Sequence, residues 1–387
     1  MKTTESALRP ELVFWLDAPP RSLAGTLRYV SQNWVNTVYY VCVRPLAEDR
    51  KRMGWEECEH GSAHMTILSD LADPDLFVKE FISQHRDAIH VCNGFRSLVA
   101  PYVTRWLFPL VGLKIAAWSE RPGVYENRRS QLIKWLGIAA VNRFYALRYG
   151  KNIQAYLAIG TLSVDAFERY GWSRSKLFPF MYDSNIPART EMGKSGQVGK
   201  SLRFLYVGQF NWRKGVDLLI RSFDDSLYGD WHLSLVGRNG EYEQQIVSWA
   251  EKNPRISYLG VWPSSEVVNN ISDFDVCLVP SRFDGWGLFT NEAIHAGVGV
   301  IVSDATASFD LVEASGAGKV VPSGETSSFR KAVQEVIDNP ALAQSWKEKA
   351  GKYAHKITSE SVGSYLIDIL EFTFIKPERQ RPQCPWL

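Results

Sequence analysis

DVCLVPSRFDGWGLFTNEAIHAGVGVIVSD, residues 275–304, reads as strand, loop, helix and strand in direct succession. The first apolar run has the length of a β-strand and ends in Pro280-Ser281. A glycine-rich turn follows, Asp284-Gly285-Trp286-Gly287. The next residues predict a helix from about Leu288 to Ala296 that stops at Gly297, a residue type suited to the left-handed conformation that closes helices. A second apolar run, VGVIVSD (298–304), resumes at once. Two strands apolar throughout, joined by a helix, mark a βαβ unit in a parallel sheet buried on both faces.

The same alternation fills the chain on either side. LRFLYVG (202–208), WHLSLVG (231–237) and RISYLG (255–260) read as strands, with helices around 215–223, 241–252, 264–272 and 288–296. Nearer the N-terminus, ELVFWLD (11–17), TVYYVCVR (37–44), DAIHVCN (87–93), LKIAAWSE (113–120) and AYLAIG (155–160) are strands between helical stretches. Residues 186–201, IPARTEMGKSGQVGKS, are polar, have no apolar period and read as a linker. The chain is therefore expected to be α/β, with two Rossmann-like parallel-sheet domains at 1–185 and 202–358. Residues 359–387 supply a last helix, Glu360 to Phe374, expected to pack back toward the N-terminal domain, and a tail, KPERQRPQCPWL, expected to be solvated. Ligands of open parallel sheets bind beyond the carboxyl ends of the strands, so the cleft between the domains is the expected site.

Composition narrows the classes. A chain of 387 residues with 45% apolar and 22% charged residues is an ordinary globular protein with room for two cores. A net charge of +2 argues against nucleic-acid binding by the chain as a whole. Cys42, Cys58, Cys92, Cys277 and Cys384 are odd in number and scattered, which fits neither a disulfide framework nor a zinc spacing and suits a reducing cytoplasm. The first apolar run, Leu12 to Leu16, has the length of a strand and not of a signal sequence. The longest later one, Trp106 to Trp118, contains Pro109 and Lys114 and falls short of the roughly 20 apolar residues that span a bilayer. The expected location is cytoplasmic.

Two segments carry chemistry. In YVGQFNWRKGVDLLI (206–220) a strand ends at Gly208, a loop bears Arg213 and Lys214, and a helix opens at about Gly215. A helix N-terminus beside two cations suits a diphosphate; a plain turn with two solvated cations accounts for the same spacing. In residues 280–304, Asp284 in the loop and Glu292 in the helix are separated by seven residues. One carboxylate can reach a sugar while the other reaches a ribose, and Gly285 and Gly287 let backbone approach the ligand. The plainer readings are a turn former for Asp284 and a surface helix residue for Glu292.

Taken together, G-x5-K-G at Gly208 to Gly215, the acid-x7-Glu motif in D-G-W-G-L-x-x-x-E-A, and G-x-x-V-I-x-S-D at Gly297 to Asp304 resemble the family-4 retaining glycosyltransferases, glycosyl transferases group 1. The resemblance is close over about 202–325 and a matter of layout in the N-terminal half. It implies the GT-B fold, two Rossmann-like domains facing across a cleft, and metal-independent transfer of a hexose-type sugar from a nucleoside-diphosphate sugar, UDP- or GDP-linked, with no cofactor. It also implies the residue roles. Lys214 corresponds to the lysine on the donor diphosphate, Glu292 to the glutamate on the ribose hydroxyls, and Asp284 to the first acid of the motif, beside the transferred sugar. Gly287 and Leu288 supply amides toward phosphate or sugar, and Val261 lies where the family's backbone meets the base.

This sequence departs from the family at three places. Gln209 stands where an arginine is usual, with Arg213 as the replacement charge; Asp284 is one methylene shorter than the usual glutamate; and Ser119-Glu120 occupy the place of an N-domain histidine. Glu120 is the candidate for a catalytic or acceptor-side contact, the alternative being a solvated loop acid. His90, Asn93 and Ser119 are further acceptor-side candidates. Asp273-Phe274-Asp275 imitates a D-x-D metal motif but directly precedes a buried strand; His295 reads as a packing residue, and Gly193-Lys194-Ser195 lacks the rest of a P-loop.

Residues 121–151 hold seven Lys or Arg (Arg121, Arg128, Arg129, Lys134, Arg143, Arg148, Lys151) against Glu126, with Ile133, Trp135, Phe144 and Tyr145 interleaved. The stretch reads equally as a peripheral contact with anionic membrane, where a lipid-linked acceptor would be found, or as a helix with a packed apolar face and a solvated basic one. The function expected is transfer to a glycan or lipid-linked acceptor in polysaccharide or lipopolysaccharide assembly. The alternatives are a GT-B epimerase, whose catalytic acids and histidines have no evident place here, a sugar phosphorylase, which needs a pyridoxal lysine, and a degenerate nucleotide-sugar binder without catalysis.

Overall fold

The computed structural model describes residues 9–19, 21–46, 61–123, 131–183, 201–224 and 226–387. The expected linker, apart from residue 201, lies outside them, as do Cys58, Glu126, Arg128, Arg129 and the Gly193-Lys194-Ser195 triplet.

The strands form two all-parallel sheets. The first comprises β1 (Leu12–Leu16), β2 (Val38–Cys42), β3 (His64–Ile67), β4 (Ile89–Asn93), β5 (Lys114–Ser119), β6 (Ala155–Ile159) and β7 (Leu177–Phe180), in the order β3-β2-β1-β4-β5-β6-β7. The second comprises β8 (Leu202–Val207), β9 (Trp231–Val236), β10 (Ile256–Tyr258), β11 (Val276–Val279), β12 (Gly299–Ser303) and β13 (Gly318–Val321), in the order β10-β9-β8-β11-β12-β13. Both are doubly wound, and in each the strand order reverses beside the first strand, between β1 and β4 and between β8 and β11. Such a reversal opens a crevice at the carboxyl ends of the strands. Central strands such as β1, β6, β11 and β12 are buried along their whole length, as their unbroken apolar runs require.

Several contacts set the two halves against each other. Asp310 of the second half accepts from Thr161 N–H at 2.7 Å and Thr161 Oγ1–H at 2.6 Å, so it caps the first turn of the helix Thr161–Arg169 in the other half. Asn291 Nδ2 donates to the Tyr182 carbonyl at 2.8 Å, and Arg121 donates to the Ala305 carbonyl at 2.7 Å. The last helix, Ser359–Phe374, lies on the helix Ala24–Asn33, where a Cβ on Gly363 would come 2.6 Å from the Tyr29 ring.

The tail departs from its sequence-based expectation. Residues 376–380 are exposed, but the chain then turns inward. Arg381 donates to the Leu177 carbonyl at 2.5 Å and lies over the Phe178 ring, and Trp386 is buried against Phe180 and Tyr365. One large aromatic, Trp386, outweighs the polar residues before it, because burying such a ring is worth about 1.5–3 kcal/mol.

Candidate active site

The first motif loop leaves β8 at Gly208 and is held from several sides. Tyr206 Oη–H donates to the Gln209 carbonyl at 2.8 Å, Asn211 Oδ1 accepts from Lys214 N–H at 2.9 Å, and Glu241 accepts from Trp212 N–H at 2.8 Å. Gly215 then opens the helix Val216–Ser222 in the left-handed region, at φ 73°. Glycine is required there, because a Cβ would fall 2.1 Å from the Pro280 carbonyl oxygen.

The second motif segment locks onto the first. Arg282 grips Asp217 with Nη1 and Nη2, at 2.5 and 2.7 Å, and Nη1 also donates to the Trp212 carbonyl at 2.8 Å. Its amide donates to the Arg213 carbonyl at 2.8 Å, and Arg213 returns a hydrogen bond to the Phe283 carbonyl at 3.2 Å. Lys214 Nζ reaches Asp284 Oδ2 at 2.5 Å, with Arg213 3.6 Å from the other oxygen. Gly287, at φ 94°, is the N-cap of the helix Leu288–His295, where a Cβ would meet Thr306 at 2.4 Å. Leu288 packs on the main core.

A cavity of about 480 Å³ opens at the carboxyl ends of β8 and β9. Of the donor-site candidates, Gly208, Gln209, Arg213, Lys214, Val261 and Glu292 line it together. Glu292 is buried in the middle of its helix, not on an outer surface. The sequence reading missed Arg238 and Asn239, which also line the cavity. Their signal was the Gly237-Arg238-Asn239-Gly240 turn directly after β9, in which Asn239 adopts φ 60°.

Across the cleft, a cavity of about 670 Å³ lies at the carboxyl ends of the first sheet and is lined by Asn93, Ser119 and Glu120 among others. Glu120 points at the second motif segment: a Cβ on Gly285 would fall 1.8 Å from its Oε2. Its surface is partly open to the cleft, yet protein encloses it from both halves. Burial, and then the charge of Asp284, push its carboxyl up to about 7; a hydrogen bond from Tyr182 and the charges of Lys214 and Arg213 pull the other way.

His90 is not brought to the cleft. It is fully buried, accepting from Trp15 Nε1–H at 3.1 Å and lying 3.1 Å from the His85 carbonyl, and burial lowers its pKa to about 4. It is a neutral core residue whose ring both partners orient. Asp275 is likewise structural: it accepts from Lys347 Nζ at 2.9 Å and from Arg203 N–H at 2.9 Å in the core. His295 is buried on its helix.

Residues 188–353 match the family model described as Glycosyl transferases group 1. The match covers 43% of the chain and includes both motif segments. Two curated relatives resemble the chain. An uncharacterized glycosyltransferase of Methanocaldococcus jannaschii is 26% identical over 196 residues, 48% of this chain and 54% of that protein. The lipopolysaccharide core biosynthesis mannosyltransferase LpcC of Rhizobium leguminosarum bv. viciae is 28% identical over 155 residues, 37% of this chain and 43% of that protein. The chain thus matches about half the length of these relatives. Anabaena HepE, solved in complex with UDP and glucose, is similar at a TM-score of 0.68 over 94% of this chain and 100% of that one, with 15% identity. At that identity the likeness is one of fold, and the fold is GT-B. The matched residues contain both motif segments and the lining of the 480 Å³ cavity, whereas Glu120 and its cavity lie in the other half.

Proposed function

We propose that the protein is a retaining, metal-independent glycosyltransferase that moves a hexose-type sugar from a UDP- or GDP-sugar to a glycan or lipid-linked acceptor. Its place would be polysaccharide or lipopolysaccharide assembly at the cytoplasmic face of a membrane. The observation that carries this reading is the convergence of Lys214, Arg213, Gly208 and Glu292 on one cavity at the carboxyl ends of β8 and β9. The lipopolysaccharide role named for the Rhizobium relative and the UDP held by the Anabaena protein point the same way.

The chemistry follows from charge. As the C1–O bond breaks, negative charge grows on the β-phosphate oxygens and the sugar becomes oxocarbenium-like. Fixed cations aimed at the phosphate stabilise that state more than the bound donor. Glu292, which lines the same cavity, accepts from the ribose hydroxyls in this reading. The acceptor hydroxyl attacks C1 from the face the diphosphate leaves, and its proton passes to the departing phosphate oxygen, so configuration is retained. No cofactor takes part.

Thermal shift with UDP, GDP, ADP and CMP tests the reading, on the wild type and on Lys214→Ala. A ligand at 100 times its Kd adds about 2.7 kcal/mol. Stabilisation by one nucleoside diphosphate, lost in the variant, is expected. No stabilisation by any of the four would overturn the donor site, and binding without sugar turnover would leave a nucleotide-sugar binder in place of an enzyme.

A further inference from the structure

The cavity across the cleft carries charge that donor binding does not use. It opens at the strand-order reversal of the first sheet, beside Asp17 after β1. Arg44 lies two residues beyond β2 and Arg96 three beyond β4, on the strands flanking β1, and both line the cavity. Neighbouring strands lie 4.7–4.9 Å apart, so the two arginines are rooted roughly 10 Å apart, within reach of one small group between them.

Both side chains are exposed, and neither forms an ion pair with a carboxylate among the described residues. The acids of the cavity are engaged elsewhere. Asp17 accepts from the Val99 amide at 3.1 Å. Glu120 faces Gly285, and its raised pKa leaves it partly protonated near neutrality. A third cation, Arg121, lines the inner wall, donating to the Ala305 carbonyl and lying over the Phe283 ring. The cavity therefore presents an excess of positive charge in a cleft with low-dielectric walls, which concentrates its field.

We propose that this cavity is the acceptor subsite and that it selects an acceptor sugar bearing an oxyanion substituent, a phosphate or a carboxylate, which Arg44 and Arg96 hold between them. The proposal rests on the glycosyltransferase reading and names its acceptor class. Guanidinium forks match phosphate and carboxylate oxygens in pairs. An anion held there leaves the rest of the sugar to extend along the cavity toward Glu120 and the donor side.

The test is calorimetric titration of the full-length protein with glucose 6-phosphate, glucuronate and glucose, repeated on Arg44→Gln/Arg96→Gln. The melting temperature controls for fold, and a separate UDP titration reports on the donor site. The expected result is that at least one anionic probe binds fivefold or more tighter than glucose, and that the advantage disappears in the double variant. The better anionic probe then separates phosphate from carboxylate. Equal affinity for glucose, no binding of either anionic probe, or an advantage that survives the double substitution would overturn the proposal. Failure of UDP to bind would count against the donor reading alone.

Discussion

Lys214 Nζ stands 2.5 Å from Asp284 Oδ2, so the cation at the end of the first motif loop is held by the first acid of the second motif. Each side chain holds the other in the cleft, and a diphosphate would compete with Asp284 for the ammonium. Lys214→Ala removes the charge proposed to stabilise the leaving group, a contribution typically worth ~2.7–4 kcal/mol, and should lower kcat about a hundredfold or more. Asp284→Asn should cost less than additively when combined with it, since each substitution already breaks the pair. Steady-state kinetics on the two single variants and the double variant check both points, and a loss below about fivefold for Lys214→Ala would remove its assigned role.

Glu120 gives the cleft a pH dependence of definite sign. Its carboxyl is raised to about 7 in the folded protein, mainly by burial, so the folded state binds this proton more tightly than the unfolded chain does. The stability associated with that proton is fully present below the unfolded value near 4.5 and is lost as pH rises through about 7. Glu120→Gln should therefore melt progressively higher than the wild type as pH is raised from 5 to 8. Scanning calorimetry of the pair at four pH values measures this; a melting-temperature difference that does not change with pH would mean that the carboxyl is not enclosed.

Two glycines of the motif segments should respond differently to alanine. At Gly215 the added Cβ meets the Pro280 backbone oxygen at 2.1 Å, in a left-handed conformation. Neither problem can relax, and Gly215→Ala should cost about 2–5 kcal/mol. At Gly285 the added Cβ meets the far end of the Glu120 side chain, which can swing away. Gly285→Ala should keep nearly wild-type stability, displace Glu120, and abolish the pH-dependent melting difference between Glu120 and its Gln variant. Urea denaturation and the same calorimetric series separate the two cases.

The strands that the sequence made legible, with β10 as the exception, are those buried between neighbours. β3, β7 and β13 went unread, and all three are sheet edges. An edge strand is covered on fewer sides, so its residues need not be continuously apolar: His64 and Met65 of β3 are exposed, and β7 tolerates Pro179 because an edge can spare a ladder hydrogen bond. The donor-side candidates other than Val261 lie in two short segments that bracket a switch point, which is why the sequence could group them. What those segments hide is partnership: Lys214 with Asp284, Asp217 with Arg282, and Glu120 against Gly285 are pairings over 65 to 165 residues of chain. His90 misled for the opposite reason, since a strand-end histidine looks the same in sequence whether it faces a cleft or, as here, a tryptophan in the core.

The helix Gln131–Tyr149 turns a stripe of apolar residues outward. Ile133, Leu136, Phe144 and Leu147 recur at helical spacing and are 76%, 56%, 57% and 74% exposed, while Asn142, Ala146 and Tyr149 face the protein. Of the apolar residues expected on a packed face, Tyr145 does pack, stacking on Phe95 at 4.4 Å, whereas Ile133, Trp135 and Phe144 are exposed. Lys134, Arg143, Arg148 and Lys151 flank them, and residues 131–151 contain no acid. Among the described residues no helix is long and apolar enough to cross a membrane, so an apolar stripe edged with cations suits lying on an anionic one. The protein should co-sediment with vesicles containing phosphatidylglycerol and not with neutral phosphatidylcholine vesicles. Each of Lys134→Gln and Arg143→Gln should weaken binding about fivefold, in keeping with ~1 kcal/mol per cation at such a surface. Leu136→Asp/Phe144→Asp should reduce binding further and leave the melting temperature unchanged, because neither side chain is buried. Equal, weak sedimentation with both vesicle types would instead mean that the stripe meets something other than charged lipid.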